Sequence, residues 1–243
     1  FCKGGNAMPN WAYNNNLFYS KNKDIIYDLH DKLNRWSNMP KEKLSSNNWN
    51  GCSKWLGNIL IQAELNEEKV IDGYYGKCRG EISEITAVSS SIIDGIEYYY
   101  FAVDTETAWC QMSKMWVSLF EHLYGDKANE IKYSWLSEEE GSTLYERHDP
   151  NKMLRLLGYS GNEKYLMESY ISKNSKYANR IPYSSKMLIE EEVFKIVGTF
   201  LNKEISKNTL DDSVDEINEL LYSENEDAYL HIRKFEDVEL LID

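Results

Sequence analysis

The chain has 243 residues and a net charge of −13, with 42% hydrophobic and 13% aromatic residues, a composition that excludes a disordered polymer and supplies a substantial core. No apolar run approaches the roughly 20 residues of a bilayer-spanning helix, and the start lacks the apolar stretch of a secretory signal. Cys2, Cys52, Cys78 and Cys110 are scattered and form no CxxC, so a cytoplasmic setting is expected rather than a disulfide framework.

Residues 1–7 read as a cloning remnant, with the natural start at Met8-Pro9-Asn10-Trp11. Residues 12–20 are strand-like, with Leu17, Phe18 and Tyr19 after a polar Asn run. Asp24 is placed to cap a helix whose apolar stripe is Ile25, Ile26, Leu29, Leu33 and Trp36, ending near Pro40. Residues 41–51 form a polar loop, and 55–65 fit either a helix or a strand. Gly73, Gly76 and Gly80 interrupt the chain around Tyr74-Tyr75. Residues 81–88 read as a strand. Ser89-Ser90-Ser91 with Asp94-Gly95 reads as a hairpin connection into 96–103, where Tyr98, Tyr99, Tyr100 and Phe101 make the strongest strand. Met112, Met115, Trp116, Leu119, Phe120 and Leu123 lie on one helical stripe that Gly125 ends. Ile131, Tyr133 and Trp135 alternate as a strand, and 143–147 adds another.

The order strand, helix, strand, strand, helix, strand is the split βαβ arrangement. The expected class is α+β, with residues 8–150 forming a ferredoxin-like antiparallel sheet that has both helices on one face. Residues 151–243 are expected to form a smaller acidic α+β lobe. In it, 165–172 is a strand, Ile189 to Leu201 carries a helix stripe, Ser213 with Glu216 is a capping box before Ile217, and 228–235 is a final strand. From residue 190 onward sixteen Asp/Glu stand against five Lys/Arg, a net of −11, leaving −2 for the other 189 residues. Such an acidic segment argues against direct phosphate binding and suits a basic partner or a solvated helical face.

Two stretches carry a resemblance. Met8-Pro9-Asn10-Trp11 with Asn14 is one. The other is Thr107-Ala108-Trp109, followed by a Met-rich helix and a strand into Ser137-Glu138-Glu139-Glu140-Gly141 and Tyr145-Glu146. Together they resemble the YubB ferredoxin-like family over residues 8–150. The cysteine usual after the first Trp is replaced here by Ala12. The resemblance implies a ferredoxin-like fold and a gene carried by a phage, plasmid or integrated element, and so a bacterial host cytoplasm. The family's function is unknown, so no catalytic residue is carried over.

The candidate ligand or partner site is the Thr-Ala-Trp turn. Asp104 and Glu106, two apart, share one side of a strand, Thr107 is placed to cap the next helix, and Trp109 can wall a pocket. Glu138, Glu139, Tyr145 and Glu146 follow the next strand and can approach the same end of the sheet. Carboxylates beside a Trp suit acid–base work or a cation. The simpler reading is that Thr107 caps, Trp109 packs and the acids are solvated. His30, His122, His148 and His231 are dispersed, no glycine loop matches a phosphate cradle, and neither a metal nor a cofactor is expected. Cys110, at the helix start, can have a lowered thiol pKa but lacks a placed base.

The expected function is that of a non-catalytic protein whose acidic C-terminal lobe occludes a basic, nucleic-acid-binding surface of a host protein, with an anti-defence role as one form. The alternatives are an enzyme or small-ligand or cation-binding protein with its site at the Thr-Ala-Trp turn, and single-stranded RNA stacking on the sheet face.

Overall fold

The computed structural model describes residues 10–44, 52–65, 78–139, 144–159, 162, 164–181 and 184–240. The expected remnant 1–7, Met8-Pro9, the 45–51 part of the polar loop, Gly73 to Gly76 and Glu140-Gly141 lie outside the described residues. The chain is α+β and divides into two compact units: Phe1–Leu157 with Asp237–Asp243, and Gly158–Glu236. In chain order, the second unit is therefore an insertion within the first.

Unit 1 is built on β1 (Trp11–Ser20), α1 (Lys23–Ser37), α2 (Leu56–Gln62), β2 (Gly80–Ile85), β3 (Ser89–Ile93), β4 (Ile96–Ala108), α3 (Ser113–Tyr124), β5 (Lys132–Glu139) and β6 (Leu144–His148). The strands run in the spatial order β6-β5-β1-β4-β2, with β3 also paired to β4, and every one of these pairings is antiparallel. The strongest sequence strand, β4, and the strand-like stretch that became β1 are thus neighbours at the centre.

Both long helices of this unit share one side of the sheet, because the same strand residues meet both. The Phe18 ring lies edge-on to Trp116 and Phe120 of α3, each at 5.1 Å, and to Phe101 at 5.6 Å. Phe101 in turn meets the His30 ring of α1 at 5.2 Å. The α1 stripe Ile25, Ile26, Leu29, Leu33 and Trp36 is buried in the same core. The opposite side is covered over part of its length, where Leu17, Leu136, Met153 and Leu154 are buried.

Several local expectations are corrected. Asn22, not Asp24, caps α1: its Oδ1 accepts from Asp24 N at 3.1 Å. The serine run is not a connection but most of β3, and the turn is Asp94-Gly95 alone, with φ of 52° and 78°. Positive φ at both central residues is what a type I′ two-residue hairpin requires, and an Asp-Gly pair meets it at low steric cost. The ambiguous stretch 55–65 is helical over Leu56–Gln62. At Gly80 a Cβ would sit 2.6 Å from Glu106 O, so β2 approaches β4 as only glycine permits.

Unit 2 packs α4 (Glu190–Leu201) and α5 (Leu210–Ser223) with a three-stranded antiparallel sheet of order β8 (Ser184–Leu188), β7 (Tyr165–Ile171), β9 (Ala228–Lys234). The α5 helix begins at Leu210, so Ser213 lies inside it, buried, and forms no capping box. Strand β8 was not expected from the sequence; Glu190 to Glu192 occupy the first turn of α4, where carboxylates favour the helix dipole. The unit holds fifteen Asp/Glu against ten Lys/Arg, a net of −5. Its acidity therefore belongs to particular surfaces rather than to the whole lobe. The clearest is the outer face of α5, where Asp211, Asp212, Asp215, Glu216 and Glu219 are exposed.

Candidate partner-binding face

The antiparallel registers fix which predicted residues meet. Glu81 pairs with Glu106, Glu106 with Tyr13, Tyr13 with Glu138 and Glu138 with Tyr145, so these five form one row across β2, β4, β1, β5 and β6. Two residues further along β1, Glu84, Asp104, Asn15, Leu136 and Arg147 form the next row. Both rows lie on the side away from α1 and α3, because side chains alternate along a strand and Phe18 and Phe101 point to the helices. Tyr13 at its centre is 57% exposed and Trp11 beside it 40%.

Asp104 and Glu106 therefore share one face, as their spacing implied, and Glu138 and Tyr145, expected only at the same end of the sheet, lie on that face too. Glu81, Glu84 and Tyr13 join them although the sequence reading did not single them out. Alternation along β1 was the signal for Tyr13; Glu81 and Glu84, three apart, share the face only because the register shifts between Ile82 and Glu84, which alternation does not announce. Strands lie ~4.8 Å apart, so Glu106 and Glu138, separated by one strand, stand roughly 10 Å apart. Among the described residues no group of three or more His, Cys, Asp or Glu is placed to hold a metal ion.

The remaining candidates go elsewhere. Thr107 lies in β4, six residues before α3, and does not cap it. Its hydroxyl donates to Cys110 O at 2.7 Å and accepts from Asn14 Nδ2 at 2.7 Å. Cys110 is exposed and precedes α3 rather than starting it. Glu146 pairs with Ser137 and so falls on the helix side with Glu139, which is buried. Trp109 has φ of 68°, unusual for a bulky side chain; its N–H donates to Asn10 O at 2.9 Å, and the Arg79 guanidinium lies 5.5 Å from its ring centroid. Trp109 thus makes a cation–π contact with Arg79. Of the histidines, His30, His122 and His148 each place a ring nitrogen 2.9–3.2 Å from a backbone carbonyl, as boundary residues do.

The helix side of the same sheet end holds a buried polar network that the sequence did not announce. Asn16 Oδ1 accepts from Gln111 Nε2 and from Tyr133 OH, and Asn16 Nδ2 donates to Val103 O at 2.8 Å. Ser137 Oγ donates to Asn14 Oδ1 at 2.7 Å. Asn14, Asn16, Thr105, Thr107, Ser137, Gln111 and Tyr133 are all buried, so this is internal support for the sheet and the turn after β4 rather than an open site. Burial holds the Tyr133 hydroxyl well above its ordinary pKa.

On the open side, burial raises the Asp104 pKa, the Glu84 charge raises it further, and a hydrogen bond from Asn15 opposes both. On the helix side, burial likewise raises Glu146. An acid whose folded-state pKa is raised favours folding while protonated and loses that contribution as pH climbs through the folded value. Asp104→Asn should therefore melt higher than the parent at neutral pH, with the two melting curves converging under acid conditions. Equal melting temperatures at both ends would contradict the strained carboxylate.

No family model, curated protein or solved structure matches the chain. No helix among the described residues is long and apolar enough to cross a membrane.

Proposed function

We propose that the protein is a non-catalytic binding protein that occludes a basic, nucleic-acid-binding surface of a host protein. The carrying observation is the row of Glu81, Glu106 and Glu138 around the exposed Tyr13 ring, a row with no Lys or Arg in it. Carboxylates spread over several strands suit separate ammonium and guanidinium groups better than a single ion, and an exposed aromatic ring adds a cation–π face for them. The exposed acids of α5 offer a second acidic surface of the kind first expected downstream.

Unit 1 reads as an elaborated ferredoxin-like domain. The order β5-β1-β4-β2, with α1 and α3 sharing a core on one side, supports that reading, and β3 and β6 are the additions. The phage or plasmid setting, and with it an anti-defence role, rests on the resemblance over residues 8–150.

The test uses a fluorescent Lys/Arg-rich peptide as probe. Glu106→Lys with Glu138→Lys should weaken binding about tenfold or more, and association should slow steeply as salt rises. Asp211→Lys with Asp212→Lys should leave the affinity within about twofold. If only the α5 pair matters, the sheet face is not the surface. If binding ignores salt, the partner is not a basic one.

A further inference from the structure

The far end of the same sheet face carries a feature that the partner-binding face does not use. A cavity of about 510 Å³ opens there, lined among others by Tyr19, Lys21, Asn22, Tyr98, Lys132 and Asn151. Lys132 pairs with Tyr19, six residues along β1 from Tyr13, so the cavity lies roughly 20 Å from the carboxylate row.

Its frame is held by hydrogen bonds. Ser20 Oγ accepts from Asn22 N at 3.0 Å, which fixes the turn that projects Lys21. Asn22 is held twice more, as the cap of α1 and as a donor to Glu130 Oε2 at 2.7 Å. Tyr19 OH accepts from Asn151 Nδ2 at 3.0 Å, and the Tyr19 and Tyr98 rings meet edge-on with centroids 6.1 Å apart. Both carboxylates of the lining are engaged: Asp94 with the Arg155 guanidinium at 3.0 Å, and Glu130 with Asn22. Lys21 and Lys132 have no carboxylate partner among the described residues; Lys21 Nζ lies 5.8 Å from the Tyr98 ring centroid. The cavity lining thus carries Lys21, Lys132 and Arg155 against Asp94 and Glu130, a net of one positive charge, with the two lysine ammonium groups outside any ion pair among the described residues and amides, a carboxylate and aromatic surface around them.

That combination specifies a ligand class. Ammonium groups in a concave site attract an anion, and lysine is a common phosphate binder. The volume falls in the roughly 300–1,000 Å³ range of organic-ligand sites and is far larger than a lone phosphate needs. Amides and an acceptor carboxylate suit hydroxyl groups, and the Tyr98 ring gives the ligand's carbon skeleton a surface to rest on. We propose that this cavity binds a phosphorylated sugar, free or as the sugar-phosphate part of a mononucleotide, with Lys21 and Lys132 holding the phosphate and Asn22, Asn151 and Glu130 facing the hydroxyls. The site is independent of the peptide-binding face, and each can fail without the other.

Isothermal titration calorimetry on the full chain tests it with four probes: ribose 5-phosphate, adenosine monophosphate, inorganic phosphate and ribose. At least one of the two phosphorylated sugars should bind with Kd below about 1 mM, and inorganic phosphate and ribose at least about tenfold more weakly. Lys21→Ala with Lys132→Ala should weaken that binding about tenfold or more. The thermal midpoint should stay unchanged, because both side chains are exposed. Lys54→Ala, outside the cavity, should bind as the parent does. A tighter mononucleotide assigns the base a place in the cavity; a tighter ribose 5-phosphate assigns the free sugar. Absence of saturable heat with both phosphorylated sugars, inorganic phosphate binding as tightly as either, full affinity in the double variant, or equal loss in Lys54→Ala would each overturn the proposal.

Discussion

Asn16→Leu is expected to lower the unfolding free energy by about 4 kcal/mol, read as a shift of the urea midpoint. Asn16 is fully buried between the central strands, and its amide serves five partners. Leucine would leave the Tyr133 hydroxyl, one Gln111 N–H and the Val103 carbonyl each short of a bond, and every orphaned buried group costs roughly 1–3 kcal/mol. Tyr133→Phe removes only one member and should cost about 1–2 kcal/mol. A double-mutant cycle between the two should be strongly non-additive, since both changes strip the same bond. A loss below about 1 kcal/mol for Asn16→Leu would mean that the network does not hold the sheet to the turn before α3.

That network marks where reading the sequence stops working. The helices α1, α3 and α4 are evident in their apolar stripes, and β1, β4, β5 and β7 in their β-forming runs. Asn14, Asn15 and Asn16 look like a polar lead-in to a strand, yet they lie in its middle. Polarity normally marks the wet side of a strand; here Asn14 and Asn16 point into the protein and are satisfied by Thr105, Thr107, Gln111 and Ser137, residues about 90 to 120 positions away. Such a match requires the register, which no local pattern states. The same holds for β3, whose serines resemble a turn until Ser89, Ser90 and Ser91 are seen opposite Tyr100, Tyr99 and Tyr98.

The candidate site was legible to the extent that it depends on alternation. Asp104 and Glu106 share a face for that reason, and Glu138 and Tyr145 join them through β5 and β6. Thr107 was misplaced because β4 runs on to Ala108, five residues past the expected strand end at Val103. Once the strand extends that far, period two sends Thr107 to the helix side, where it bonds Asn14 and cannot cap a helix starting at Ser113. Glu139 and Glu146 follow the same parity. The excess of acids belongs to residues 190–243 and not to the whole unit: unit 2 starts at Gly158 and so includes Lys164, Lys173, Lys176, Arg180 and Lys186, and it ends at Glu236, which leaves the last acids in unit 1.

Phe18→Ala is the second large effect expected, about 4 kcal/mol, measured in the same urea titration. The side chain is fully buried and stands where β1, β4, β5 and α3 converge, against Phe101, Trp116, Phe120 and Tyr133. Alanine removes the ring from all four contacts at once, and these neighbours belong to three different elements, two of them strands whose spacing from β1 is set by backbone pairing. The cavity therefore cannot close by moving one side chain, which puts the cost at the upper part of the range for Phe truncation. Phe18→Leu should recover about half of the loss. Tyr13→Ala, five positions earlier on the same strand but on the open face and more than half exposed, should change stability by less than about 0.5 kcal/mol while weakening the basic peptide. Should Tyr13→Ala prove as costly as Phe18→Ala, the two faces of β1 would have been assigned the wrong way round, and the carboxylate row with them.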